Sequence, residues 1–500
     1  MLLSRLLSIA LAFTALSHTA WAEQIILKST SSSVELIGEY KGFKDGVYTI
    51  ETDLGELEVD ARTVTCTGDD CPQIDSLVSE FAIAGDQELL NQLLIPLLES
   101  YSFSLDATLN TKITSDTKST IKITAKDGQE FANITVFSGA TTDTKNTLVI
   151  KSGAGKALLV GSEKVKTIPL AADALIAISS DTNAVKSIST GALRNVLSGS
   201  INNWKDLGGP DAAINIYLPQ TSSGLVKTAK AMGYDISKLQ AAERFDDLAT
   251  LSKVTANDPY GLGFTSLSNR RAAHALSLVG SCGASVRPSA FAIASSSYPI
   301  SFYHYLEVDT EGLPIFAREF LNYLTSTQAK SMMTRQGYSS LSVFENGLEH
   351  QGNRIVHSLL TTTKSVPSSE FIAMLRNLNN ARQLSTVLRF NEDGKTLDPQ
   401  SKAAFDTLIS ELYLGGFADQ KIMIIGFTGA AGSTSKNKRK SKATAETIAD
   451  LVKTADSGGL LADLQIETLG YGEASPLACE DSAHGIATNN RVEIWVKSVF

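Results

Sequence analysis

Thr221-Ser222-Ser223-Gly224 is the stretch of this sequence best suited to holding a ligand. Three hydroxyls and a glycine follow a short apolar run (Ile214, Ile216, Tyr217) and precede a segment whose spacing predicts a helix over 222–232. The first N–H groups of a helix have no partner inside it and carry partial positive charge, so small polar residues there can cradle an anion. The same spelling also serves as an ordinary N-cap, its commoner use. Catalytic spellings are missing: no GxSxG elbow, no GxxxxGK[ST] phosphate loop and no HExxH occur. His274, His304, His350, His357 and His484 stand apart from any sequence-local acid and nucleophile. No His/Cys cluster has metal-ligand spacing. The residues point to binding without catalysis, with no cofactor and no metal.

A chain of 500 residues exceeds what one hydrophobic core can hold, so about three domains are expected. The content is 43% hydrophobic and 19% charged, as in an ordinary globular protein. A net charge of −9 argues against nucleic acid as a partner, which would want a basic face. Residues 1–22 read as a secretory signal: Arg5, an apolar core over 6–15, and Ala20-Trp21-Ala22 as the cleavage site. No later apolar run reaches transmembrane length, so the mature chain is expected to lack a transmembrane segment. An exported chain can form disulfides. Cys66 and Cys71 lie close together in TCTGDDCP and are expected to close a small loop. Cys282 and Cys479 lie in different expected domains, and both a bridge and two separate thiols stay open.

In chain order, 23–75 alternates like strands, with hairpin signals at Lys44-Asp45-Gly46 and Asp53-Leu54-Gly55, and reads as a small barrel-like β module. From Phe81 the pattern turns α/β: a strand at 81–84, an amphipathic helix over 88–100, strands at 121–124, 134–137, 157–160, 174–178 and 214–217, and helices at 190–197 and 315–325. Crossings between two lobes are expected near 166–169 and 263–267. Residues 345–383 read as a helical connector lying on a neighbouring domain. A β-α-β-α-β order from about 384 predicts a small sheet covered on one face by helices.

The spelling LSGSINNWKDLGGPDAAINIY, with the Ser-Gly helix start, resembles the phosphate-type solute-binding proteins of ABC importers. Ala172-Asp173-Ala174-Leu175 with Asn183, Asp258 to Phe264 and Tyr298-Pro299-Ile300-Ser301 extend the resemblance over about 81–343. It implies a two-lobed α/β body closing on an oxyanion such as phosphate, and an ABC permease as partner. Carried over residue by residue, it assigns ligand binding to Thr141, Thr142, Ser222, Ser223 and Gly224. This chain departs from the pattern at several positions. Asp86 follows Gly85 where hydroxyls are usual, and its carboxylate would stand where an anion should. Pro219 and Gln220 replace an arginine and an acid, Leu225 replaces a threonine, and Leu158 stands where an acid is expected.

The C-terminal spelling LDPQSKAAFDTL, IIGFTGAAGSTSKN, LGYGEASPLAC and NNRVEIWV resembles the OmpA-like, peptidoglycan-associated domain over about 385–497. The resemblance implies peptidoglycan as partner and assigns Thr428, Asn437 and Arg491 to its binding. The acid and the arginine that would grip a diaminopimelate are replaced by Gly429 and Thr444. The basic run Lys436, Lys438, Arg439, Lys440 and Lys442 lies beside that site. It is either a solvated helix start or a contact for anionic wall groups.

The expected architecture is therefore α/β and α+β multidomain. It comprises a signal (1–22), a small N-terminal β module (23–75), a two-lobed periplasmic-binding-protein fold (76–344), a connector (345–383) and an OmpA-like βαβαβ domain (384–500). The expected function is a solute-binding protein in the periplasm of a Gram-negative-type envelope, associated with the wall or outer membrane. The alternative is a structural or interaction protein whose two sites have degenerated.

Overall fold

The computed structural model describes residues 24–29, 33–44, 46–68, 70–72, 78–139, 146–154, 164–239, 241–362, 365–391, 395–456 and 458–499. The expected signal, Thr141, Thr142, Leu158 and the strand expected at 157–160 lie outside them. The chain forms two compact units. One contains the described residues up to Ser79 with Pro314–Phe316, and the other contains Glu80–Leu313 with Ala317–Phe500.

In the first unit, β1 (Gln24–Ser29), β2 (Glu35–Lys44), β3 (Val47–Thr52), β4 (Gly55–Asp60) and β5 (Val64–Thr67) form an antiparallel sheet ordered β4-β3-β2-β1-β5. Among the described residues the sheet ends at β4 and β5, so it is open where a barrel-like form was expected. Ile25, Leu27, Tyr48 and Ile50 make its buried face, with Cys66 and Cys71 packed against them. Cys66 and Cys71 are bonded, with Cα atoms 5.8 Å apart. Gly68 between them sits at φ +145°, a conformation that side chains disfavour.

The second unit opens with β6 (Ser79–Gly85) and α1 (Gln87–Leu89), which runs through a π-turn (Leu90–Leu94) into α2 (Ile95–Ser104). Leucine pairs at 89/90, 93/94 and 97/98 repeat every four residues, and all six are buried. That repeat outruns a 3.6-residue turn, and the wider turn absorbs the drift. Gln87, Asn91 and Glu99 stay exposed opposite the leucines, so the helix is amphipathic as expected.

Next come β7 (Ala107–Ser115), β8 (Lys118–Ala125), β9 (Glu130–Ser138), β10 (Thr147–Gly153), β11 (Val165–Ser179), β12 (Ser187–Ser189) and α3 (Thr190–Leu197). They are followed by β13 (Asn215–Pro219), α4 (Gly224–Ala231), β14 (Glu243–Phe245), α5 (Leu248–Asn257), β15 (Gly261–Ser266), β16 (His274–Ala275), β17 (Ser277–Val279), β18 (Ser285–Val286) and α6 (Ala290–Ala294). The body closes with β19 (Ser301–Asp309), α7 (Ile315–Leu324), α8 (Thr327–Arg335) and β20 (Ser339–Ser340). One sheet runs β14-β13-β15-β11-β19-β10-β6-β9-β8-β7.

Strand β11 belongs to both lobes. Residues 165–174 pair with β19, and 175–179 pair with β15. The handover falls at Ala174/Leu175, where Leu175 N–H donates to Ile300 O at 3.0 Å. The chain returns to the first lobe at Ser301. The second crossing is therefore not at 263–267: β15 is buried along its whole length inside the second lobe, paired to β11 and β13.

The C-terminal part contains β21 (Glu345–Gly347), α9 (Gly352–Thr362), α10 (Ser368–Leu378), β22 (Ala381–Leu388), α11 (Pro399–Tyr413), β23 (Gln420–Phe427), α12 (Thr434–Ala455), β24 (Ile466–Gly470), α13 (Ala483–Asn489) and β25 (Arg491–Ser498). Its sheet order is β21-β22-β25-β23-β24. Ile422 and Ile424 face α11 and α12 through Phe405, Leu408, Ile448 and Val452. Met423, Ile425 and Phe427 face the other way, onto Phe371, Met374 and Leu378 of α10. The sheet is covered on both faces, as the unbroken apolar run of β23 requires. The one-face expectation fails because 345–383 supplies an edge strand and the second helical layer.

Candidate functional site

A cleft with about 320 Å³ of space between atoms, open solvent included, lies where the two lobes meet. From the first lobe come Asp86 and Glu88 at the start of α1, Ser152 of β10, and Phe302 and His304 of β19. From the second come Gly224 and Leu225 of α4, Leu248 of α5, Ser266 at the end of β15, and Ser268 and Asn269 just after it. Asp173 sits at the β11 handover: Oδ1 accepts from Ala174 N–H at 2.8 Å and Ser268 N–H at 3.2 Å, and Oδ2 accepts from the Ser268 hydroxyl at 2.6 Å. Asn269 bridges the lobes, with Nδ2 donating to Gln92 Oε1 at 3.0 Å and reaching Glu88 Oε1 at 3.4 Å. His304 Nδ1 lies 2.8 Å from Ser152 Oγ, and its Nε2 lies 3.7 Å from Asp173 Oδ2.

Helix ends at this cleft are capped by the chain's own oxygens. Glu88 N–H donates to Asp86 Oδ1 at 3.2 Å, Leu225 N–H to Ser223 Oγ at 3.2 Å, and Thr250 N–H to Asp247 Oδ2 at 2.7 Å. Asp86 also crosses to the second lobe. A Cβ on residue 224 would lie 2.9 Å from its carboxyl, so glycine is what permits the approach. A carboxylate thus already occupies the positive end of α4.

In the C-terminal domain, Thr428 is buried, with its N–H donating to Gly472 O at 2.9 Å. Asn437 is buried and donates to Glu473 Oε2 at 3.0 Å. Arg491 is 2% exposed and lies 4.4 Å over the Phe427 ring. Its guanidinium donates to Glu493 Oε1 at 2.7 Å, Ser475 O at 2.8 Å and Asn489 O at 3.2 Å. Arg354 joins the same carboxylate at 2.8 Å. The Glu480 carboxylate stands where a side chain at Gly429 would go, 2.7 Å from that Cβ position. It accepts from Ala430 N–H at 3.0 Å and Asn489 Nδ2 at 2.9 Å.

Residues 73–328, more than half of the chain, match the PBP superfamily domain. The chain belongs to the PBP superfamily. Residues 389–490 match the OmpA family. The phosphate-binding protein PstS of Bacillus subtilis (strain 168) is 35% identical over 159 residues, 31% of this chain and 50% of that protein. Outer membrane protein A of Escherichia fergusonii is 30% identical over 125 residues, 23% of this chain and 50% of that sequence. The matched segments thus span about half the length of each of these two relatives. An ABC-type phosphate transport receptor from Vibrio cholerae aligns over 52% of this chain and 98% of its own, with 17% identity and a TM-score of 0.39.

Within the PBP body, the residues singled out by sequence divide. Gly224 lines the cleft, Ser223 caps α4, and Ser222 is exposed and not among the lining residues. Leu225 has turned into the second-lobe core. Glu88, Ser152, Asn269 and His304 were missed, because their neighbours come from distant segments. Asp173 was legible only as part of a family spelling. Burial, with Asp86, Asp173 and Asp247 nearby, raises the Glu88 carboxyl to about 8 despite a hydrogen bond from Ser223. Tyr338, at the same cleft, is pushed up by burial and by Asp173 and Glu88. Among the described residues no Lys or Arg lines the cleft, and no group of three or more His, Cys, Asp and Glu is arranged to hold a metal.

Cys282, in the PBP body, is bonded to Cys479, just before Glu480, with Cα atoms 5.5 Å apart. Ser281 donates to Asp481 at 2.5 Å beside it. The bridge closes a loop of 197 residues. Replacing both cysteines by serine is expected to cost about 2–4 kcal/mol, read as an earlier transition in calorimetry. An unchanged trace would mean the bridge constrains little. Among the described residues no helix is long and apolar enough to cross a membrane.

Proposed function

We propose that this chain is an envelope solute receptor, a PBP-type cleft stapled to an OmpA-like domain that associates with peptidoglycan. The observation that carries the reading is the interlobe cleft: polar side chains from five separate strands and helices converge there on a small space beside a single handover strand. A strand shared by the two lobes can act as a hinge, and ligand closure needs one. An ABC-type permease is the membrane-side partner in this reading. The wall-facing part combines Asn437 and Thr428 with Glu480, which stands in the position that Gly429 leaves vacant. Exposed Lys436, Arg439 and Lys440 add attraction for anionic wall groups.

Phosphate, the solute named for the Bacillus relative, fits this cleft poorly, since side chains already cap an N–H at its helix starts and carboxyl groups line it. The mature chain is expected to melt within about 1 °C of its ligand-free value in about 10 mM phosphate at neutral pH. It is expected to co-sediment with purified peptidoglycan, and to do so less after Lys436, Arg439 and Lys440 are changed to Gln. Loss of sedimentation by Glu480→Gln would place the contact at Gly429. Unaltered sedimentation in both variants would remove this surface from the reading. A second reading, a docking body without solute, is favoured by the Asp86–Gly224 approach, which closes the lobes without a ligand. The two part on whether any small solute shifts the melting curve.

A further inference from the structure

We infer that the cleft takes a small organic ammonium, a cation carrying N–H donors, and not an oxyanion. This rests on the receptor reading above and names its ligand class. Carboxyl groups of Glu88 and Asp173 face the space without a basic side chain among the lining residues. Carboxyl groups line the space with no cation beside them, which disfavours an anion there and favours a cation that could draw off the Glu88 proton.

A second, independent observation concerns hydrogen bonds. Asn269 is 2% exposed and its Oδ1 has no partner. Its Nδ2 donates to Gln92 Oε1 and Ser266 Oγ, both at 3.0 Å. Oδ1 therefore remains a buried acceptor waiting for a donor. His304 is 4% exposed, and its Nε2 likewise has no hydrogen-bond partner. Its Nε2 faces Asp173 Oδ2 at 3.7 Å, and its Nδ1 lies 2.8 Å from Ser152 Oγ, so it stands beside a carboxylate in the same lining.

An R–NH3⁺ group supplies three donors and one positive charge, matching the vacant Asn269 acceptor beside carboxyl groups. An oxyanion supplies the opposite. The aromatic rings of Phe302 and Tyr338 in the lining suit the alkyl part, and the small space excludes long chains.

The test is thermal shift and calorimetry on the full mature chain with ethanolamine and methylammonium, against tetramethylammonium, inorganic phosphate and sulfate. Ethanolamine at about 10 mM is expected to raise the melting temperature by about 3 °C, tetramethylammonium by less, and the anions not at all. Glu88→Gln keeps the side-chain shape, and it is expected to weaken ethanolamine at least about tenfold while remaining folded. Asn269→Leu, which removes the acceptor, is expected to do the same, and its circular dichroism checks that it folds. A phosphate or sulfate response with the amines silent overturns the ammonium assignment and leaves the receptor reading standing. An amine response unaltered by Glu88→Gln and Asn269→Leu moves the site out of this cleft and overturns the inference. No response to any probe overturns both.

Discussion

Glu88→Gln is expected to stabilise the two-lobed body at alkaline pH, by a few kcal/mol and on the order of 5 °C. In the unfolded chain the carboxyl loses its proton near its ordinary 4.5, whereas in the fold it holds it to about 8. Between those values the folded state binds more protons than the unfolded one. Stability therefore falls as pH rises through that window, and the full penalty is present above about 8. Three and a half pKa units set an upper bound of about 5 kcal/mol, which partial exposure of Glu88 reduces. Gln carries no charge at any pH, so the variant should match the parent at pH 4 and exceed it at pH 9. Melting curves across that range give the answer. Parallel curves for the two proteins would mean that burial and the neighbouring Asp86, Asp173 and Asp247 do not act on Glu88 as their placement implies.

Glu493→Gln is expected to cost about 3–5 kcal/mol in the C-terminal domain. Glu493 is fully buried and sits between two guanidiniums, Arg491 and Arg354, while its Oε2 accepts from Trp495 Nε1 at 2.9 Å. Burial pushes its carboxyl up, but the two arginines outweigh that and hold it below its ordinary value. Burial draws Arg491 down, and Glu493 opposes the shift. Removing the one negative charge leaves two buried cations facing each other beside Phe427. Trp495 makes the measurement direct: its fluorescence should report an earlier denaturant midpoint. Glu493→Leu with both Arg491→Met and Arg354→Met should recover part of the loss, because an apolar cluster avoids the desolvation cost of all three charges. A midpoint within about 1 kcal/mol of the parent would show that water reaches this cluster. The same burial explains why Arg491, assigned by resemblance to wall binding, is placed to hold the sheet against α9.

The distant pairings show where sequence reading stops. Cys66 and Cys71 could be paired on paper, since five residues and a glycine turn bring them together. Cys282 and Cys479 could not, because only the docking of the PBP body on the OmpA-like domain makes their separation small. His304 reads as an isolated histidine in a strand of aromatics. Its meaning comes from Ser152 and Asp173, which reach it from two other strands.

What the sequence determined by itself was local or periodic. Alternating apolar residues set the N-terminal sheet, the helix at 190–197 was placed to the residue, and the family spellings named both folds. What only tertiary structure decided was which acids and acceptors share a cavity, and which face of β23 the residues at 345–383 cover. Periodicity records which side of an element is apolar. It does not record which other element lies there, so the charge and hydrogen-bond vacancies of a cleft emerge only when the chain closes.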